Sequence, residues 1–255
     1  MILRANHVSL LGALMMRELS SRFGRRNIGF FWIMAEPALF CIGIIVLWSF
    51  IKPPSEHGLP VAAFAMTGYL PLLVVRNSVS QGAHCITANN GLLYHRNITL
   101  LHLFVARMSL EYLGIALAAL VIASSLIFFG FVSLPEDILK ILIGFGLLCW
   151  FSFGLALAIG SLASRFEVVE RVSPIASYLL LPISGAFFML SWLPSDIRSI
   201  AALVPMVHAF EYIREGFFGE SLVGETNLSY LIGWNLALSL IGLLSIRVIA
   251  SADVE

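Results

Sequence analysis

Apolar residues come in long blocks along this chain, separated by short polar breaks. A helix that crosses a bilayer core of ~30 Å needs about 18 or more such residues in a row. Six blocks fit: Phe30–Ile51, Pro60–Val79, Leu110–Phe131, Leu139–Leu162, Pro174–Trp192 and Tyr230–Ala250. Between them, "KPPSEHG" (52–58) and "SLPED" (133–137) read as tight polar turns, and "SRFEVVER" (164–171) reads as a short charged helix. The pattern predicts an all-α membrane protein with six transmembrane helices.

Two stretches do not fit simple spans. Ahead of the first block, Val8, Leu11, Met15, Leu19 and Phe23 recur at spacings of three or four, with polar residues gathering only from Arg17 onward. This predicts a helix lying in the inner interface over residues 1–29, before a single transmembrane domain at 30–255; a soluble helix on the cytoplasmic side is the alternative. After the fifth block, residues 193–220 carry two short helical patterns broken by Pro205. Val207, Phe210, Ile213 and Phe217 form one face of the second; His208, Glu211, Tyr212 and Glu215 form the other, with Arg214 at its edge. Neither piece is long enough to span, so the pair predicts a re-entrant hairpin dipping into the outer leaflet rather than one lying flat on it. Local charge pairs on one helix contribute only ~0.2–0.5 kcal/mol each. So polar a face therefore points to an aqueous exit path or a docked periplasmic partner.

Composition sharpens this picture. Of 255 residues, 59% are hydrophobic and 12% charged, about half the charge a water-facing surface carries. The net charge is zero, but its distribution sets an orientation. With the N-terminus inside, inner segments hold Arg4, Arg17, Arg22, Arg25, Arg26, Arg96, Arg107, Arg165, Arg171 and Arg247. Outer segments hold only Lys52, Lys140, Arg198 and Arg214, beside many acids. Both termini are then cytoplasmic, and Trp48 and Trp192 fall at outer span ends, where indoles favour the interface.

Some chemistries are excluded. The only lysines, Lys52 and Lys140, follow Ile51 and Leu139, so no nucleotide-binding G-x-x-x-x-G-K-[ST] loop exists. There is no H-E-x-x-H and no G-x-S-x-G, and the cysteines Cys41, Cys85 and Cys149 lie far apart in apolar surroundings. No catalytic set, metal site or nucleic-acid partner is expected. Glu36 and Pro37 interrupt the first span within its first two turns. Proline there kinks the helix, and an intramembrane acid faces protein or a cavity and pairs; a tie to an arginine at the inner interface is favoured over substrate contact. Phe30, Phe31 and Trp32 suit sugar rings and lipid equally. "SFGLALAIGSLAS" (152–164) suits close helix packing.

Three stretches carry a family resemblance: "RELSSRFGRRNIGFFWIMAEP" (17–37), "NNGLLYHRNITLLHLFVARMSLE" (89–111) and "PMVHAFEYIREGFFG" (205–219). The first resembles the signature of permeases of type-2 ABC exporters. Together, over essentially the whole chain, they resemble the transmembrane subunit of bacterial group 2 capsular polysaccharide exporters, the KpsM type. A type-2 permease for another cargo (O-antigen, teichoic acid or a drug) is the alternative. The resemblance implies a homodimer in the bacterial inner membrane, exporting a lipid-linked, acidic polysaccharide. ATP and Mg would bind two copies of a separate ABC ATPase subunit. A periplasmic co-polymerase and an outer-membrane channel would continue the path. ATPase docking would fall to Asn90, Gly91, Leu92, Tyr94 and Arg96 and to Phe166, Glu167, Val168 and Arg171. Arg17, Arg22, Arg25, Arg26, Phe31, Trp32 and Glu36 would stand at the entry, the arginines on anionic headgroups. His208, Glu211, Arg214 and Glu215 would form the outer-hairpin site.

Overall fold

The computed structural model describes residues 7–23, 29–93, 98–219 and 226–252. Among these, four helices are long and apolar enough to cross a membrane: α2 (Gly29–Ile51), α5 (Leu100–Phe128), α6 (Ile138–Ala163) and α11 (Leu228–Ala252), with α1 (His7–Phe23), α3 (Val61–Ala83) and α4 (Asn90–Leu93) preceding or between them. A two-stranded ribbon, β1 (Ser55–Glu56) and β2 (Leu59–Pro60), joins α2 to α3. Its loop residues His57 and Gly58 both have positive φ, as the tightest hairpin turns require.

α3 is as long as α2 but less apolar, and it falls outside that set of four. It is the central helix, buried along most of its length against α2, α5 and α6. A helix shielded from lipid by its neighbours can carry Thr67, Asn77, Ser78 and Gln81 without an apolar surface. α6 packs on α3, α11 and the hairpin. Close approach there depends on small residues, as the 152–164 pattern predicts: a Cβ on Gly160 would strike the Phe104 ring and lie 2.6 Å from the Gly82 carbonyl oxygen.

Two predicted spans differ from the helices observed. The third begins at Leu100, not Leu110, because Thr99 and His102 form a reciprocal capping box that starts α5 there. It ends at Phe128, ahead of Gly130 at φ +74°. The fifth is no single helix over 174–192. α7 (Glu167–Ala176) takes in residues 167–171 of the charged stretch together with Pro174, continues through a 3₁₀ turn (Ser177–Leu179) into α8 (Leu180–Ile183), and then breaks. Gly185, at φ +81°, turns the chain away, and a 3₁₀ turn resumes at Leu190–Trp192.

The two short helices expected over 193–220 are present as α9 (Ser195–Ala201) and α10 (Pro205–Phe218), with Pro205 in the first turn of α10, where its missing N–H costs nothing. α10 is buried on nearly all sides against α3, α6 and α11. Trp48 and Trp192 do share one end of the bundle, where both stack with Phe64.

Candidate functional site

The described residues enclose a cleft of about 320 Å³ between α1, α2, α3, α5 and the α7–α8 segment. Arg22, Glu36, Arg76 and Glu111 give it charge, Asn77 and Gln81 give it amides, and Phe40, Pro174 and Tyr178 give it apolar wall. α2 and α7–α8 flank α3, so the floor of the cleft is the C-terminal half of the central helix, residues 73–81.

One wall is a closed ion network. Arg22 of α1 donates to Glu18 (3.0 Å), to Gln81 (3.0 Å) and to Glu111. Asn77 donates to the other Glu111 oxygen at 2.9 Å. Behind it, the buried Arg107 donates to Glu18 at 2.6 Å and to the Gln81 carbonyl at 3.3 Å. Burial works against the charge on Arg22, yet the Glu111 and Glu18 carboxylates outweigh it and raise its pKa. Arg17 reaches Asn89 at 2.9 Å. Arg17 and Arg22 thus turn into the protein rather than out to headgroups, because acids and amides of α1, α3, α5 and the 3₁₀ turn Thr87–Asn89 accept their hydrogen bonds. The bundle-facing side of α1 correspondingly runs through Leu14 and Glu18, while Val8, on the apolar stripe read from the sequence, is exposed. Arg25 and Arg26 lie outside the described residues.

Glu36 lines the cleft and makes no ion pair with the described residues, so the expected tie to an arginine is absent among them. Phe31 and Trp32 are exposed on α2 and do not line the cleft; Phe40, two turns on, does.

The two predicted docking segments are brought together. Glu170 of α7 accepts from the Thr87 hydroxyl at 2.7 Å and pairs with His84 Nδ1 at 2.9 Å. These hydrogen bonds hold the Glu170 carboxyl below its ordinary range. Gly91, Phe166 and Val168 are exposed, as are both partners of the Glu167–Arg171 pair (2.6 Å). Leu92 turns inward onto the Cys85–Phe104 cluster. Asn90 opens α4; its side chain, Tyr94 and Arg96 lie outside what is described.

The hairpin residues behave differently from the sequence expectation. Glu211 and Arg214 are buried, and they satisfy the broken backbone after α8. Arg214 donates to the carbonyls of Gly185 (2.7 Å), Phe188 (2.8 Å) and Ala186, and its guanidinium sits 4.0 Å from the Phe64 ring centroid. Glu211 accepts from the Leu190 N–H at 3.1 Å. His208 Nε2 donates to the Ala202 carbonyl at 2.9 Å, and its Nδ1 accepts from the Asn227 N–H at 3.3 Å. Glu215 pairs with Lys140 at 2.6 Å. No exit path or docked partner is needed to account for this face: buried non-helical backbone must find partners inside the protein, and these side chains supply them.

Sequence reasoning placed none of Glu18, Asn77, Gln81, Arg107 and Glu111 at the site, and left the role of Arg76 open. The signal was available in part: each is a polar residue inside or beside an apolar block.

Comparison with known proteins bears on what this arrangement is for. A family model described as "ABC-2 type transporter" matches residues 9–218. The chain is 38% identical over 238 residues to the capsule polysaccharide export inner-membrane protein BexB of Haemophilus influenzae, covering 93% of this chain and 90% of that protein. It is 38% identical over 234 residues to the capsule polysaccharide export inner-membrane protein CtrC of Neisseria meningitidis serogroup B, covering 92% and 88%. The polysialic acid transport protein KpsM of Escherichia coli is 25% identical over 232 residues, covering 91% and 90%.

Proposed function

The chain belongs to the ABC-2 type transporter family, and from that premise we propose that it is the membrane subunit of an ATP-driven exporter moving capsular polysaccharide across the bacterial inner membrane. The reading is supported by likeness to capsule export proteins over nine-tenths of the chain. The observation in the fold that carries it is the cleft. Guanidinium, carboxylate, amide and aromatic groups together line a cavity inside an otherwise apolar bundle, as passage of a hydroxylated, charged chain requires.

The finer parts of the proposal follow. Two copies act as a homodimer: the cleft lies between α2 and α7–α8, whose apolar residues Leu39, Phe40, Ile175 and Leu179 are exposed in the single chain, and a second copy would cover them. Six membrane crossings result if α3 and the α7–α8 segment cross beside the four longest helices, with α9–α10 as a re-entrant hairpin and both termini cytoplasmic. Each copy docks a separate ATPase, which holds ATP and Mg, on the surface made by Gly91, Phe166 and Val168. A periplasmic co-polymerase and an outer-membrane channel receive the polymer. The test is deletion and complementation in the source bacterium, read as surface polysaccharide together with co-purification of the ATPase. Normal surface polymer in the deletion strain sinks the proposal.

A further inference from the structure

α1 is bonded to both ends of the segment that joins α3 to α5. Arg17 donates to the Asn89 side chain at 2.9 Å, just ahead of α4. Ten residues earlier on α1, about 15 Å along its axis, His7 Nδ1 meets His102 Nε2 at 3.3 Å, in the first turn of α5. The two ring centroids lie 5.4 Å apart, with planes 28° from parallel. His7, Leu11, Leu14 and Glu18 follow one another at spacings of four, three and four, so the histidine prolongs the stripe by which α1 packs on α5. His7 is exposed and His102 partly so, and solvent protons reach both.

The hydrogen bonds of His102 fix which nitrogen carries its proton. The Thr99 N–H donates to His102 Nδ1 at 3.2 Å, and the Thr99 hydroxyl lies 2.9 Å from the same nitrogen. Nδ1 is therefore an acceptor, the proton is on Nε2, and Nε2–H donates to His7 Nδ1. Both rings are neutral in this arrangement. A proton arriving on His7 must take Nδ1, where it faces the Nε2–H of His102. The clash is relieved only if His102 moves its own proton to Nδ1, which strips the Thr99 N–H of its acceptor and opens the capping box at the start of α5. A second proton sets two imidazolium rings against each other. No carboxylate among the described residues bonds to either ring to offset that charge. On the surrounding elements, Glu18 of α1 and Arg107 of α5 are committed to each other, and Arg17 to Asn89. α11 reaches the same cluster through Ile246 and Ile249 and adds only the exposed Arg247, and α2 adds only Glu36, in the cleft.

We infer that His7 and His102 form a proton-released tie: neutral, they hold α1 across the segment that contains α4; protonated, they free its α5 end while Arg17 keeps the Asn89 end. The tie is complete above the ordinary histidine range, near pH ~6.5, and is lost as pH falls through it. Its consequence for a partner rests on the proposed function, in which Gly91 of α4 belongs to the ATPase surface. With one end of that segment freed, the exporter engages its ATPase less firmly when the cytoplasm turns acid.

The test uses the full-length protein in nanodiscs, with spin labels at Val8→Cys on α1 and Leu162→Cys on α6, both exposed positions. It reads the tie without any ATPase. With both histidines present, a narrow distance distribution at about pH 7.5 should lose roughly fivefold of its share relative to the broad one by about pH 5.5, the factor that one net hydrogen bond supplies. His7→Ala should give the broad distribution at both pH values. His102→Glu is the decisive variant. A glutamate at the third helical position keeps the capping box with Thr99, but its carboxylate holds a protonated His7, so the narrow share should now grow as pH falls. A distribution indifferent to pH, one that stays narrow in His7→Ala, or one that widens in acid in His102→Glu overturns the inference. Capture of the ATPase at about pH 7.5 is the separate measure, and His7→Ala should retain less of it. Equal capture by wild type and His7→Ala overturns the role of the tie in docking. No capture by either, while the distances behave as described, counts against the proposed function instead.

Discussion

Glu170 and His84, 86 positions apart in sequence, meet at 2.9 Å and lock the turn after α3 to the first turn of α7. Thr87 closes the link from the same turn. A force applied by a partner to either segment is therefore felt by both, and α3 carries it to the floor of the cleft. Because the native carboxyl titrates below its ordinary range, the link's contribution is present above the ordinary carboxylate pKa and is lost as pH falls through the lowered value. Spin labels at Gly91→Cys and Val168→Cys should report a narrow distance distribution from neutral pH down to about 5, widening only below the usual carboxylate range. Glu170→Ala should give the wide distribution at every pH. A distribution indifferent to both changes means the segments are held by other contacts.

The neighbouring pair Glu167–Arg171 is exposed on both sides, and such a pair contributes about 0.3–0.5 kcal/mol. Replacing both residues with alanine should leave the protein's level and melting temperature unchanged. It should separate ATP hydrolysis from export when measured on the assembled complex. Normal surface polymer in cells carrying the double variant removes this face from the docking surface.

Glu18 and Arg107 make another long-range tie, joining α1 to α5 at 2.6 Å. Losing either partner of a buried pair costs about 3–5 kcal/mol when the other is stranded, but the two truncations are not equivalent here. After Arg107→Ala, Glu18 keeps Arg22 at 3.0 Å; after Glu18→Ala, Arg107 keeps only the Gln81 carbonyl at 3.3 Å. Glu18→Ala should therefore be the more damaging, and Glu18→Leu with Arg107→Leu should recover much of the loss. Melting curves in detergent decide the order.

The residues that were legible in the sequence and those that were not differ for physical reasons. Long apolar runs such as Ile138–Ala163 announce themselves because lipid imposes their composition. The same rule hides α3 in part, since Thr67, Asn77 and Gln81 are permitted only by neighbours that no local window contains. The polar face of α10 was correctly seen but assigned to the wrong partner. Local spacing shows that Glu211 and Arg214 need partners, yet not that the chain 25 residues upstream breaks and supplies them. The docking segments came from family resemblance, and nothing in either segment foretells that Glu170 would join them.

Orientation rests on the arginine distribution and can be measured directly. Ser55→Cys, in the β1–β2 ribbon, should react with an impermeant maleimide added to intact spheroplasts, and Ser251→Cys should react only after lysis. The reverse pattern moves the docking surface outside and ends the assignment of Gly91, Phe166 and Val168 to an ATPase.

The hairpin gives the most demanding prediction, because its polar residues hold the fold and not a path. Arg214→Ala would leave three carbonyls after α8 without their donor and a void beside Phe64. Each orphaned buried acceptor costs about 1–3 kcal/mol, and three exceed what a membrane protein of ordinary stability tolerates without misassembly. The variant should therefore be poorly accumulated and degraded, not merely inactive. Gly68→Ala should resemble it, since its Cβ would collide with the Ala186 carbonyl and lie 2.8 Å from an Arg214 nitrogen. Arg214→Lys keeps one donor direction of three and should lie between. By contrast, Glu215→Ala loses only a partly exposed pair with Lys140 and should accumulate normally. Immunoblots of membrane fractions with surface-polymer staining separate the cases. If Arg214→Ala accumulates at the wild-type level and fails only in export, the residue serves the passage of the polymer, and the backbone break is held by something else.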